Sequence, residues 1–164
     1  MKQILIKNLI FVCSLLICAN SYGQNSNEAP LAENAPTDKP HNLKGADQLE
    51  KYDALIAPYV EKAQKTLPKA KKKYSKGLKD GQAFFLTTRI YDSFGNYEQI
   101  FVRVSSWEKE NVSGTIANQL NAVEEFSFGQ TITFPESDIL DWLITNPDGS
   151  EEGNFVGKYL DTLR

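Results

Sequence analysis

The stretch that decides the fold is residues 83–107, AFFLTTRIYDSFGNYEQIFVRVSSW. Its two halves are rich in β-branched and aromatic residues, and between them stands Asp92-Ser93-Phe94-Gly95-Asn96, a run of turn formers. Strands joined by so short a connection run antiparallel, so 83–91 and 97–107 are predicted to form a hairpin. Period-two alternation puts Ile100, Val102 and Val104 on one face of the second strand. Tyr97, Gln99, Phe101, Arg103 and Trp107 fall on the other. The first face reads as core. The second, joined by Arg89 and Asn118, mixes aromatic and polar groups as interaction surfaces do, unless the helix upstream covers it.

Upstream, residues 47–76 are predicted to be helical. Leu49, Tyr52, Ile56, Tyr59 or Val60, Ala63, Leu67, Ala70 and Tyr74 recur at intervals of three and four, which places them on one stripe. Pro58 and Pro68 interrupt that stripe and predict kinks or short breaks near Ala57 and Leu67. Thr66 is the expected cap of the last piece, and Gly77 the residue that stops it. Downstream, 113–118 and 130–134 read as further strands and 136–143 as a short helical turn. Asn146-Pro147-Asp148-Gly149 reads as a turn leading to a last strand over 154–159. The expected fold is α+β: an N-terminal kinked helix packed on a strongly curved, nearly closed antiparallel sheet of four or five strands.

The chain has 164 residues, and its first 23 have the layout of a signal peptide. Lys2 and Lys7 precede an apolar run over Leu9–Ala19, with Ser21 and Gly23 before the expected cut at Gln24. Such a run is short of the roughly 20 apolar residues that span a bilayer, so no transmembrane segment is expected in the mature chain. Lipidation at Cys18 is the alternative anchor, although Ile17 stands where a small residue is usual. Residues 24–46, with Pro30, Pro36 and Pro40 and only Leu31 and Leu43 as large apolar side chains, bury too little to order and read as a disordered linker. A single domain over 47–164 follows. The expected location is the periplasm or the exterior.

Without the signal the chain carries 16 basic and 21 acidic groups and no cysteine, because Cys13 and Cys18 both lie in the first 23 residues. The sole histidine, His41, falls in the linker. Thiol nucleophiles, histidine triads, disulfide frameworks and Cys/His metal sites are thereby excluded as expectations for the domain, and neither a catalytic residue nor a cofactor or metal is assigned. Charge is segregated: residues 47–83 hold nine basic and five acidic groups, residues 84–164 five basic and thirteen acidic. The basic end owes its sign to eight lysines between Lys62 and Lys79, read either as the solvated face of the helix or as a contact for an anionic polymer or lipid. Nucleic acid is not an expected partner of an exported domain with so acidic a sheet.

The remaining candidates are carboxylates and tryptophan. Asp138 and Asp141 are three apart, so on a helical turn both would project to one side beside Trp142, with Glu136 and Glu98 as further acids. Such a pair can split acid and base roles or hold a hard cation, but an acid at a helix start more often caps it, and Ile139 with Trp142 more often fills a core. Arg103, Trp107, Asn118, Asp138, Asp141 and Trp142 are therefore the candidate binding residues.

Several segments in this order resemble the YegJ-like family of bacterial domains. They are Lys62–Pro68, Phe101–Val104 with Ser106-Trp107, Ser113–Asn118, Phe128–Phe134 and Asp138–Trp142, covering about residues 50–160. The chain departs from that pattern at Gln130, where the family often has Asp, and at Gln119-Leu120-Asn121, where a proline usually follows the asparagine. The resemblance implies a conserved small domain from a bacterium and brings no activity with it. The sequence is read as an exported, non-enzymatic binding or interaction domain of the cell envelope, with an envelope component or protein as partner. The alternative is a carboxylate-based hydrolase or metal-dependent enzyme using Asp138 and Asp141.

Overall fold

The apolar stripe produces one helix, α1, Ala46–Ser75, in the computed structural model, which describes residues 46–163. The signal segment and the linker up to residue 45 lie outside the described residues. α1 runs without a break through Pro58 and Pro68. Each internal proline removes a helical hydrogen bond and costs about 3 kcal/mol. Here both prolines, and the residues whose carbonyls they leave unpaired, Ala54 and Gln64, are exposed, so water takes the orphaned acceptors. On the opposite side Tyr52, Ile56, Ala63, Leu67 and Ala70 are buried. Burial of each large apolar side chain contributes roughly 1.5–3 kcal/mol, enough to carry the helix across both interruptions. Gly77 ends it: its φ of 90° admits a left-handed cap, and its N–H donates to the Tyr74 carbonyl at 3.0 Å.

Six strands follow: β1 (Ala83–Tyr91), β2 (Tyr97–Glu108), β3 (Asn111–Ile116), β4 (Thr131–Pro135), β5 (Asp141–Thr145) and β6 (Glu151–Gly153), with a second helix, α2, over Phe155–Asp161. The sheet order is β4-β3-β2-β1-β5-β6, antiparallel throughout. The class is α+β, and the hairpin of β1 and β2 forms around the predicted turn, with Tyr91 opposite Tyr97. Three expectations change. Among the described residues the sheet has six strands and is open, with β4 and β6 as edges. The segment 136–143 is helical only over Glu136–Asp138 and then enters β5, which pairs with β1. The last expected strand, 154–159, is instead α2, turned by Asn154 at φ 56°.

Alternation divides the sheet into two faces. Leu86, Val102, Trp142 and Ile144 face α1 and form the main core with Ala63, Leu67 and Ala70. The loop between β3 and β4 adds Val123 to this core. Buried Glu98 anchors that loop by accepting the Asn121 N–H at 2.9 Å and the Ala122 N–H at 2.9 Å. The far face holds Phe85, Phe101 and Leu143 in a second cluster with Ala83 and Ala117. Only the first turns of α1 reach its polar end, where Tyr52 donates to Gln99 at 3.2 Å and Arg89 forks onto Asp53 at 2.5 and 3.3 Å. α2 closes this side, Val156 and Leu160 packing on Tyr52 and Ile56, with Tyr159 stacked on Tyr59 at 4.0 Å.

A β-bulge moves one residue that simple alternation misplaces. Val104 pairs with Gly114 and Ser106 with Ser113, so Ser105 is the extra residue and the strand changes phase. Trp107 therefore stands opposite Val112 on the α1 face, packed against Phe84 and Tyr74, and does not share the Arg103 face. Gly114 is required there, since a Cβ would lie 2.2 Å from the Arg103 carbonyl oxygen.

Asp141, 1% exposed, explains the sharp passage from β6 into α2. Its carboxylate accepts the N–H of Trp142 and, across fifteen residues of chain, the N–H of Val156 in the first turn of α2, both at 2.7 Å. Removing a buried carboxylate that satisfies helix N–H groups costs about 2–4 kcal/mol. Asp141→Ala is accordingly expected to lower the thermal midpoint strongly and Asp141→Asn, which keeps one acceptor, by about half as much; calorimetry of the two variants measures it.

Candidate functional site

On a helix, positions i, i+3, i+4 and i+7 share a face, and Lys69, Lys72, Lys73 and Lys76 fall at that spacing in the last turns of α1 and just beyond. Beneath them lies β5. Trp142 points from β5 to the α1 side and donates its indole N–H to the Thr66 hydroxyl at 2.9 Å. Thr66 is mid-helix rather than a cap, and its own O–H faces the carbonyls of Lys62 and Ala63, each at 3.0 Å. Phe155 of α2 meets the indole edge-on, with ring centres 5.9 Å apart. From the other side β6 approaches so closely that a Cβ on Gly153, whose φ is 80°, would lie 2.1 Å from the Trp142 carbonyl oxygen and 2.7 Å from its ring. Helix, aromatic ring and edge strand thus fix the plane of the indole.

Between α1 and β5–β6 this packing leaves a groove of about 470 Å³, within the range of small-molecule sites. Its floor is Ala70, Trp142 and Ile144; the four lysines and Thr66 form one wall, and Glu152 stands on the other. Lys73 pairs with Glu152 across the groove. Lys69, Lys72 and Lys76 are exposed and make no ion pair among the described residues. The groove is therefore apolar below and strongly cationic along one side. Chemically it can hold an anion by charge and an apolar group by contact with the indole.

The residues singled out from sequence are distributed around the molecule, and Trp142 alone among them lies in the groove. Asp138 is exposed and accepts from Ser137, whereas Asp141 is buried in the backbone contacts described above, so the two do not form the matched pair that a helical turn would give. Among the described residues there is no group of three or more His, Cys, Asp or Glu placed to hold a metal ion. Trp107 donates to Glu136 at 3.0 Å, Lys71 pairs with the same carboxylate, and the Lys71 ammonium sits 4.7 Å over the Trp107 ring. That trio ties the end of α1 to the turn after β4. Asn118 accepts the Phe101 N–H at 2.7 Å, taking over the ladder where β3 stops, and Arg103 is exposed on the far face. Ile144 and Glu152 are groove residues not among the candidates from sequence, and Thr66, expected as a helix cap, is a third. Their signal was the run Trp142-Leu143-Ile144-Thr145 ahead of a strong turn, which marks a strand.

Burial pushes the Tyr74 phenol up, beside Phe84 and Trp107 at the end of α1. The folded protein then binds the phenolic proton more tightly than the unfolded chain. This contribution to stability is level below the ordinary tyrosine value of about 10 and falls as pH rises through the folded value. Alkaline titration followed by circular dichroism is expected to show a loss of helix above that point which Tyr74→Phe reduces. A second substitution tests the clamp on the indole: Gly153→Ala is expected to cost about 2–4 kcal/mol and to red-shift the Trp142 emission, read in a Trp107→Phe background.

Residues 53–162 match the sequence model of a family described as "Uncharacterized protein conserved in bacteria (DUF2314)". No curated protein and no solved structure matched the chain. The matched stretch runs from the first half of α1 to the end of α2, so it takes in all six strands and the groove. On that coverage, which exceeds half of its length, the chain belongs to this conserved bacterial family.

Proposed function

We propose that the protein is a non-enzymatic binding domain of the bacterial cell envelope, a YegJ-like domain that recognises an anionic partner or ligand through the groove between α1 and β5–β6. The observation that carries the reading is the placement of Lys69, Lys72 and Lys76, all without an ion pair among the described residues, beside the buried indole of Trp142. Cations left unpaired above an apolar floor give an anion both charge and a place to shed water. Of the candidate acids, Asp141 and Glu98 hold backbone N–H groups, Glu136 pairs with Lys71, and Asp138 stands exposed and apart from Asp141. The layout of residues 1–23 supports export, and residues 24–45, ahead of α1, would then tether the domain at a distance from its point of attachment or processing. No helix among the described residues is long and apolar enough to cross a membrane.

Two measurements test this. Expressed in a bacterial host from its own N-terminus, the protein is expected in the periplasm or the medium with an intact mass that begins at Gln24; a full-length chain retained in the cytoplasm overturns export, and a lipid-bearing Cys18 replaces the free form with an anchored one. In envelope extracts, whatever co-purifies with the protein is expected to be lost when Lys69, Lys72 and Lys76 are changed together to Gln, and to weaken steeply as salt is raised to about 0.15 M. Capture that the triple variant retains in full moves the binding surface elsewhere.

A further inference from the structure

The groove is lopsided, and the lopsidedness restricts what fits it. Its cations stand on one wall only, along α1, and span about 10 Å from Lys69 to Lys76 at the helical rise. The opposite wall offers Glu152, already paired with Lys73. Between them the floor is apolar and fixed: Ile144 and Ala70 are buried, and the Trp142 indole spends its only donor on Thr66. A ligand thus meets three unpaired ammonium groups along one edge, an acid already engaged by Lys73 on the other, and an apolar floor between them. The volume of about 470 Å³ corresponds to roughly fifteen water-sized atoms. A neutral ligand would leave three ammonium groups unused, a cation would be repelled, and a bare inorganic anion would leave the floor empty.

We infer that the groove takes an amphipathic organic anion, with a single carboxylate, phosphate or sulfate head at the Lys69–Lys76 wall and an apolar body of about ten to fifteen atoms along the lysine stems and the accessible edge of the Trp142 indole, with Ile144 buried behind. This rests on the proposed role of the groove as the binding site and adds the chemistry of the ligand. The head displaces water from the lysines, whose flexible stems lie along the chain, and the Lys73–Glu152 pair spans the groove from wall to wall.

The test uses dodecanoate below its micellar concentration, with hexanoate, dodecylammonium, inorganic phosphate and long-chain polyphosphate alongside it. The readout is Trp142 emission in the Trp107→Phe protein, with circular dichroism confirming the fold of each variant. Dodecanoate is expected to saturate, hexanoate to bind at least about tenfold more weakly because it loses apolar contact, and phosphate and dodecylammonium to give no saturable change. Changing Lys69, Lys72 and Lys76 together to Gln is expected to weaken dodecanoate about tenfold. Dodecylammonium binding as well as dodecanoate, or an unchanged affinity in the triple variant, overturns the inference. Lysine-dependent binding of polyphosphate without binding of dodecanoate overturns it while leaving the groove as the binding site; lysine-dependent binding of neither removes both readings.

Discussion

Successive side chains of a strand point to opposite faces, and at Asp141-Trp142 this elementary constraint ties the molecule together. Asp141 turns to the far face and holds the first turn of α2 by its backbone. Trp142 turns to the near face and holds the middle of α1 through Thr66. α2 in turn supports the first half of α1 through Tyr52, Ile56 and the stacked tyrosines. A helix of thirty residues with two prolines would not survive alone; it is fixed at two places by adjacent residues of one strand. Tertiary contact here overrides local preference, through the buried stripe of α1 together with these two side chains.

Local features were legible in the sequence. The stripe from Tyr52 to Tyr74 and the turn Asp92–Asn96 follow from periodicity and turn chemistry, which neighbours in the chain decide. The misread elements depend on distant partners. Asp138-Ile139-Leu140-Asp141 has helical spacing, yet β1 offers its free edge there, and the Leu140 N–H donates to the Thr87 carbonyl at 2.8 Å. Phe155–Tyr159 looks like a strand by composition, but the Asp141 carboxylate and a left-handed Asn154 turn it into a helix. Trp107 lies on the other face because a bulge inserts one residue, which strict period-two alternation does not contain. The groove itself joins residues 66–76 to 142–152, and only the pairing of β1 with β5 brings those segments together.

Charge segregation acquires a structural meaning in this fold. The excess of lysine does not coat α1 evenly. Lys71 and Lys73 are spent on Glu136 and Glu152, which bind the basic helix to the acidic sheet, Lys65 pairs with Glu61, and Lys69, Lys72 and Lys76 line one side of the groove. The same composition thus serves two ends: attraction between the layers where acids are within reach, and an unbalanced positive rim where they are not.

The edges of the sheet bear on how such a domain meets other molecules. β6 has three residues and carries Glu151 and Glu152, and β4 has five and ends in Pro135. Short, charged or proline-terminated edges resist the addition of a foreign strand. Backbone pairing, the least selective way for one chain to join another, is thereby disfavoured, and recognition is left to side chains, whose identity a sequence can specify one position at a time.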